Sequence, residues 1–147
     1  MILAEVKGVK TTDELTNEIC KATDMVDYFE KNRAELQLNG FSESLGQWLK
    51  IKKCTKAAVA RRSGLNRAYV YQIFLGLKTP SRDKVIALAF GFAMDLTETK
   101  KLLQQAGYRE LYARDPRDAL LISSVVHRQT ILEANELLYD NHIECLE

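Results

Sequence analysis

Between Thr55 and Ser81 the chain reads TKAAVARRSGLNRAYVYQIFLGLKTPS, and no other stretch limits its fold as tightly. Small or apolar residues stand at Ala60, Gly64, Val70 and Ile73, the pattern needed by two short helices that cross at a steep angle. Ala60 lets the two backbones approach, Gly64 supplies the positive φ of a tight turn, and Val70 and Ile73 face the core. The expected helices run about from Lys56 to Ser63 and from Arg67 to Leu75. Asn66 is a good N-cap for the second, because its side chain can accept an orphan backbone N–H. A basic loop, Gly76-x-Lys78-x-Pro80-Ser81, follows.

Helical signals continue on both sides. Residues 11–38 read as helix, opened by a capping box Thr11-x-x-Glu14, with a break allowed near Thr23-Asp24, where Thr23 would cap a second helix. Leu15, Ile19, Ala22, Val26 and Phe29 recur at helical spacing and form one apolar stripe, expected to pack on the rest of the domain. Ser42 is the expected cap of a helix over about Glu43–Lys53, with Leu45, Trp48 and Leu49 inward. Beyond the basic loop, Ser81 caps a helix over about Arg82–Phe90 that Gly91 ends. Asp95-x-x-Glu98 boxes the start of another over Leu96–Ala106, with Gly107 as its stop. In Asp115-Pro116-Arg117-Asp118, two neighbouring carboxylates invite a catalytic reading. A helix start accounts for them better: Asp115 as N-cap, Pro116 in first position and Asp118 reaching back. Leu120, Leu121, Val125 and Val126 follow, then Thr130-x-x-Glu133 and a last helix with Ile131, Leu132, Leu137, Leu138 and Tyr139. This hairpin is apolar enough to need a partner surface: the preceding domain, a second copy or another protein.

Net charge is only +1, but it is segregated. Residues 1–40 carry 5 basic and 8 acidic side chains, residues 41–107 carry 12 and 4, and residues 108–147 carry 4 and 8. The basic excess therefore coincides with the crossed helices, as a nucleic-acid reader requires. No apolar run reaches the ~18 residues of a membrane span, and no signal peptide is recognisable. Cys20, Cys54 and Cys145 are odd in number and far apart, forming neither a CxxC pattern nor a disulfide framework, which fits a reducing cytoplasm. His127 and His142 are isolated, and no phosphate loop, nucleophile elbow or HExxH is present, so an enzyme is not expected and no cofactor or metal is implied.

With Ala60, Gly64, Val70, Ile73 and the Gly76-to-Ser81 loop in register, and two more helices after them, residues 42–107 resemble the helix-turn-helix domain of the Cro/phage-repressor (Xre) family. The resemblance implies a five-helix repressor-like domain over 42–107. The helical signals on either side, which lie beyond it, add an N-terminal helical extension over 1–41 and a C-terminal helical hairpin over 108–147, so the whole chain is expected to be all-α. The resemblance also implies that the second of the crossed helices lies in the DNA major groove. Helical geometry leaves Arg67, Ala68, Tyr71 and Gln72 on that helix's outer face, and these positions match the family's base readers, with Lys56 as a fifth. Arg67 suits guanine O6/N7, Gln72 suits adenine, and Ala68 or the Tyr71 ring suits a thymine methyl. Thr55 and Asn66 at helix N-termini, with Lys78, Arg82 and Lys84, are the candidate phosphate contacts. Many members carry an Arg where Leu49 stands and a Glu where Phe74 stands. Here an apolar pair replaces that ion pair, so Leu49 is expected to touch Phe74.

The functional expectation is a cytoplasmic, sequence-specific transcriptional regulator from a bacterium or phage. Its partners would be double-stranded DNA with an inverted-repeat operator, a second copy of the chain, and a protein or peptide held by the helical extensions. The rival is a protein-interaction module that keeps the helix-turn-helix as scaffold. Three features sustain it: acidic flanks that can cover the basic surface, the bulk of Tyr71, and Arg67 as the sole cation on the outer face.

Overall fold

Side chains that cap their own backbone start most of the helices. The computed structural model describes residues 10–36 and 40–146, and among them the regular structure is entirely helical. The chain divides into two compact units, Met1–Asn39 and Gly40–Glu147.

In the first unit, α1 (Thr12–Lys21) is capped by Thr11, whose hydroxyl accepts the Glu14 N–H at 3.1 Å. Ala22 then turns extended, and α2 (Met25–Lys31) restarts with Asp24 as its cap, accepting from Val26 N at 3.0 Å. Asp24 thus takes the role expected of Thr23. A short 3-10 turn, Arg33–Glu35, follows, and the end of the expected 11–38 helix lies outside the described residues. The break interrupts the expected stripe, of which Leu15, Ala22 and Phe29 are half-buried. Ile19 and Val26 of the expected stripe are exposed, and Tyr28 is buried in their place. A polar knot ties the unit: Lys10 Nζ donates to Glu18 Oε2 at 2.6 Å and to Asn32 Oδ1 at 2.7 Å, and Asn32 Nδ2 donates back to Glu18 Oε1. The Lys10 ammonium holds the Glu18 carboxyl below its usual range.

The second unit begins with α3 (Phe41–Lys52), whose N-cap is Gly40 and not Ser42. Starting two residues earlier places Phe41 in the core, and Ser42 is itself buried. Leu45 and Trp48 follow inward, and the Trp48 indole donates to Gln105 Oε1 at 2.7 Å. α4 (Lys56–Ser63) and α5 (Arg67–Leu75) are joined through Gly64, at φ 73°. α6 (Arg82–Gly91) packs most extensively on α4. Its last residue is the reason: a Cβ on Gly91 would sit 2.5 Å from the Val59 carbonyl oxygen. Gly91 therefore lets two backbones meet, as well as ending the helix. α7 (Leu96–Gln105) carries the full Asp95/Glu98 capping box and packs on α3 and α6. Leu49 packs against the core that holds Phe74, with α3 against α5.

The C-terminal hairpin belongs to this same unit. α8 (Pro116–Val126) packs on α7 and α9 (Ile131–Asp140), and Leu121 and Leu138 are fully buried in the shared core. Asp115 caps α8 as expected, accepting the Asp118 N–H at 3.0 Å. The Asp118 carboxylate does not reach back. It is buried and faces α6, where Arg82 holds it in a two-pronged pair at 3.1 and 2.9 Å, and Tyr112 N adds a third bond at 3.0 Å. Arg117 repeats the arrangement in reverse, gripping both oxygens of Asp83 at 2.9 and 2.8 Å.

Candidate nucleic-acid interface

The α4–turn–α5 unit is fixed by three local devices. Thr55 Oγ1 accepts Ala58 N at 3.1 Å, Asn66 Oδ1 accepts Tyr69 N at 3.1 Å, and Gly64 and Gly76 end the two helices in the left-handed region. Val59, Ala60, Val70 and Ile73 are buried, so each helix has one face inward and one outward.

Burying Val70 and Ile73 leaves Arg67 and Ala68 exposed, with Tyr71 and Gln72 half-buried beside them. Arg67 folds along its own helix: its guanidinium lies 5.3 Å from the Tyr71 ring centre, and Nη2 donates to the phenol oxygen at 3.2 Å. That contact spans one helical turn and presents cation and ring as one surface. Lys56 sits with its ammonium 5.8 Å from the Phe74 ring, so the start of α4 lies over the C-terminal half of α5. Lys84 lies 5.8 Å from the Tyr69 ring, so the start of α6 flanks the N-terminal half. Burial pushes the Tyr69 phenol above its ordinary pKa. The two lysines therefore bracket α5, one at each end. Lys78 is exposed on the loop between α5 and α6, and Thr55 and Asn66 are exposed at their helix starts.

Arg82 is placed differently from the other candidates. Besides Asp118, its guanidinium donates to the carbonyls of Arg109 and Glu110, at 3.2 and 3.1 Å. With its donors committed inward, it fastens the hairpin and does not join the cationic set around α5. Arg82 taken singly does not show this, because its partner Asp118 lies 36 positions away. A signal was present: Arg-Asp occurs just past the N-cap of α6 and again in the first turn of α8 (Arg82-Asp83, Arg117-Asp118). Two such dipeptides at facing helix starts can pair crosswise.

Among the described residues, no group of three His, Cys, Asp or Glu side chains is disposed to hold a metal ion. His127 closes α8, with Nδ1 2.8 Å from the Ser123 carbonyl. Cys20, Cys54 and Cys145 are unpaired, and burial raises the Cys54 thiol pKa. No described helix is long and apolar enough to cross a membrane. Comparison of the chain with protein-family models, curated proteins and solved structures returns no match.

Proposed function

We propose that this chain binds double-stranded DNA in a sequence-specific manner and regulates transcription as Cro-type repressors do, by occupying an operator. The observation that carries the reading is α5 itself: an outward face of Arg67, Ala68, Tyr71 and Gln72, bracketed by Lys56 and Lys84, on the one segment with a net charge of +8. Arg67 and Gln72 are the base readers, with Ala68 and Tyr71 as apolar neighbours. Lys56, Lys84 and Lys78, with the free N–H groups near Thr55 and Asn66, hold phosphates. A dimer on an inverted repeat would set two α5 helices in successive major grooves, about 34 Å apart. Such a regulator works in the cytoplasm of a bacterium or within a phage-infected cell and needs no cofactor.

One observation favours a second reading, a protein-interaction module built on the same scaffold. Arg67, the sole cation on the outer face of α5, already rests on Tyr71. An aromatic-cation plate of this kind also suits a protein surface.

Selection of binding sites from a random duplex library at near-physiological salt decides between them. The full chain should enrich an inverted repeat, and the Arg67→Ala/Gln72→Ala double variant should enrich none while melting like the parent. Lys78→Ala should weaken all sequences alike and flatten the salt dependence by about one unit. Folded protein that enriches nothing would exclude the regulator and leave the interaction module.

A further inference from the structure

A cavity of about 460 Å³ opens where the end of α4, the end of α6 and the α8–α9 loop meet. That size is within the range of sites that hold small organic molecules. Its walls are apolar: Phe90 and Met94 from α6 and the loop after it, Val125 from α8, Ile131 and Leu132 from α9. Its polar boundary has three cations, two neutral residues (Gln129 and Thr130) and no acid. Arg61 and Arg62 come from the last turn of α4, and Arg128 comes from the loop after α8.

No Asp or Glu lines the cavity, and among the described residues none of these three arginines pairs with a carboxylate. Glu133, the acid nearest in sequence, commits its Oε1 to the Thr130 N–H at 2.9 Å. Arg128 Nη1 reaches only the Ala93 carbonyl, at 3.4 Å, and Arg62 Nε only its own helix at Ala58 O, also 3.4 Å. An apolar hollow with three guanidinium groups at its edge and no internal counter-charge is complementary to one kind of occupant. That occupant has an apolar body that displaces water from the walls and a single anionic head that takes a two-pronged bond from arginine.

We propose that this cavity is a binding site for a small amphiphilic carboxylate of fatty-acid type. The claim does not depend on what α5 binds. The site is built by α4, α6, α8 and α9, and it borders the helix–helix turn at Gly64 without including the outer face of α5.

The test is calorimetric titration of the full chain with decanoate below its micelle concentration, with 1-decanol as a neutral probe of the same length. Backbone-amide NMR shifts locate the site. Decanoate should bind one per chain, at least about tenfold more tightly than the alcohol, and shift Gly64, Arg128 and Ile131. Arg61→Gln/Arg128→Asn should remove most of that preference and leave the alcohol's affinity unchanged. Asn is chosen because Arg128 has φ 57°, a conformation Asn tolerates. Leu132→Glu, at an exposed position, keeps the fold and sets a carboxylate on the rim, so it should abolish decanoate binding. Equal affinity for acid and alcohol, no binding to folded protein, or undiminished decanoate binding by Leu132→Glu would each overturn the proposal.

Discussion

Arg67 on the outer face of α5 and Arg82 in the seam between α6 and α8 are the same residue type on consecutive helices, with opposite fates. Arg67 is exposed, rests on an aromatic ring and has no carboxylate partner among the described residues. Arg82 gives four hydrogen bonds to Asp118 and to two backbone carbonyls, in a seam where the Asp118 side chain is only 2% exposed. The difference lies in what each can still do. An exposed guanidinium on a ring keeps its hydration and can exchange that contact for another at little cost. A guanidinium locked to a buried carboxylate cannot leave without stranding a charge. Arg67 is therefore left available at the surface, while Arg82 is committed inside the chain.

The comparison is most exposed to failure at Asp118. Replacing Asp118 by Ala strands the Arg82 guanidinium and the Tyr112 N–H, and should destabilise the chain by about 3–5 kcal/mol in denaturant unfolding. Adding Arg82→Met should recover part of that loss, since removing both charges is cheaper than removing one. A cost below about 1 kcal/mol would place the pair with ordinary surface salt bridges and dissolve the contrast.

Gly91→Ala probes how firmly α6 is held at its other end. The added methyl would meet Val59 O at 2.5 Å and Ser63 Cβ at 3.1 Å, both on α4. Those atoms belong to a helix that is itself packed, so we expect a loss of about 1–3 kcal/mol, read as a lower melting temperature. A neutral outcome would mean that α4 and α6 can slide. Lys56 and Lys84, which start these two helices, would then not be fixed about α5.

How much of this was legible in the sequence divides along a physical line. Caps act over three residues, so Thr11, Asn66, Ser81, Asp115 and the boxes at Asp95/Glu98 and Thr130/Glu133 are legible directly, and with them the helices they start. The outward placement of Arg67 and Ala68 follows from helical geometry once Val70 and Ile73 are inward. Ser42 failed because burial of Phe41 outweighed a one-hydroxyl cap. The N-terminal stripe is only partly buried, Leu15, Ala22 and Phe29 more than Ile19 and Val26, because the helix is interrupted at an extended Ala22. Gly91 was legible as a stop but not as a point of contact, since the residue it meets is 32 positions away. The Arg82–Asp118 and Asp83–Arg117 pairs join positions 36 and 34 apart. Single-residue propensities carry no information at that range, and only the repeated Arg-Asp dipeptide hinted at it.

The second pair of the seam should matter less than the first. Arg117 and Asp83 side chains are each about one-fifth exposed, so water screens them more than it does Asp118. The hydrogen-bonded Asp83 carboxylate still raises the Arg117 pKa above its ordinary value. Arg117→Lys keeps the charge and loses the two-pronged grip, along with the bonds to the carbonyls of Glu144 and Cys145. A loss of about 1 kcal/mol is expected. In a double-mutant cycle with Asp83→Asn, the coupling should account for about half of it. Coupling equal to that of Arg82 with Asp118 would show that the seam's strength comes from geometry more than burial.

The smallest effect on stability is predicted at Arg67, and it completes the contrast. Truncating Arg67 to Ala removes one exposed cation–ring contact, worth about 0.5–1 kcal/mol at most, and replaces a residue in the first position of α5 with a better helix former. The two changes oppose each other, so unfolding free energy should move by less than about 0.5 kcal/mol. If Arg67 reads a guanine, the same substitution should cost about 1–3 kcal/mol of discrimination at a single base position. One variant would then be silent in a melting experiment and conspicuous in a binding-site selection, the reverse of Asp118→Ala. Should Arg67→Ala destabilise the chain by 2 kcal/mol or more, the Arg67–Tyr71 plate would be part of what holds α5 together. The distinction between an outward arginine and an inward one would then fail at the residue where it is drawn most sharply.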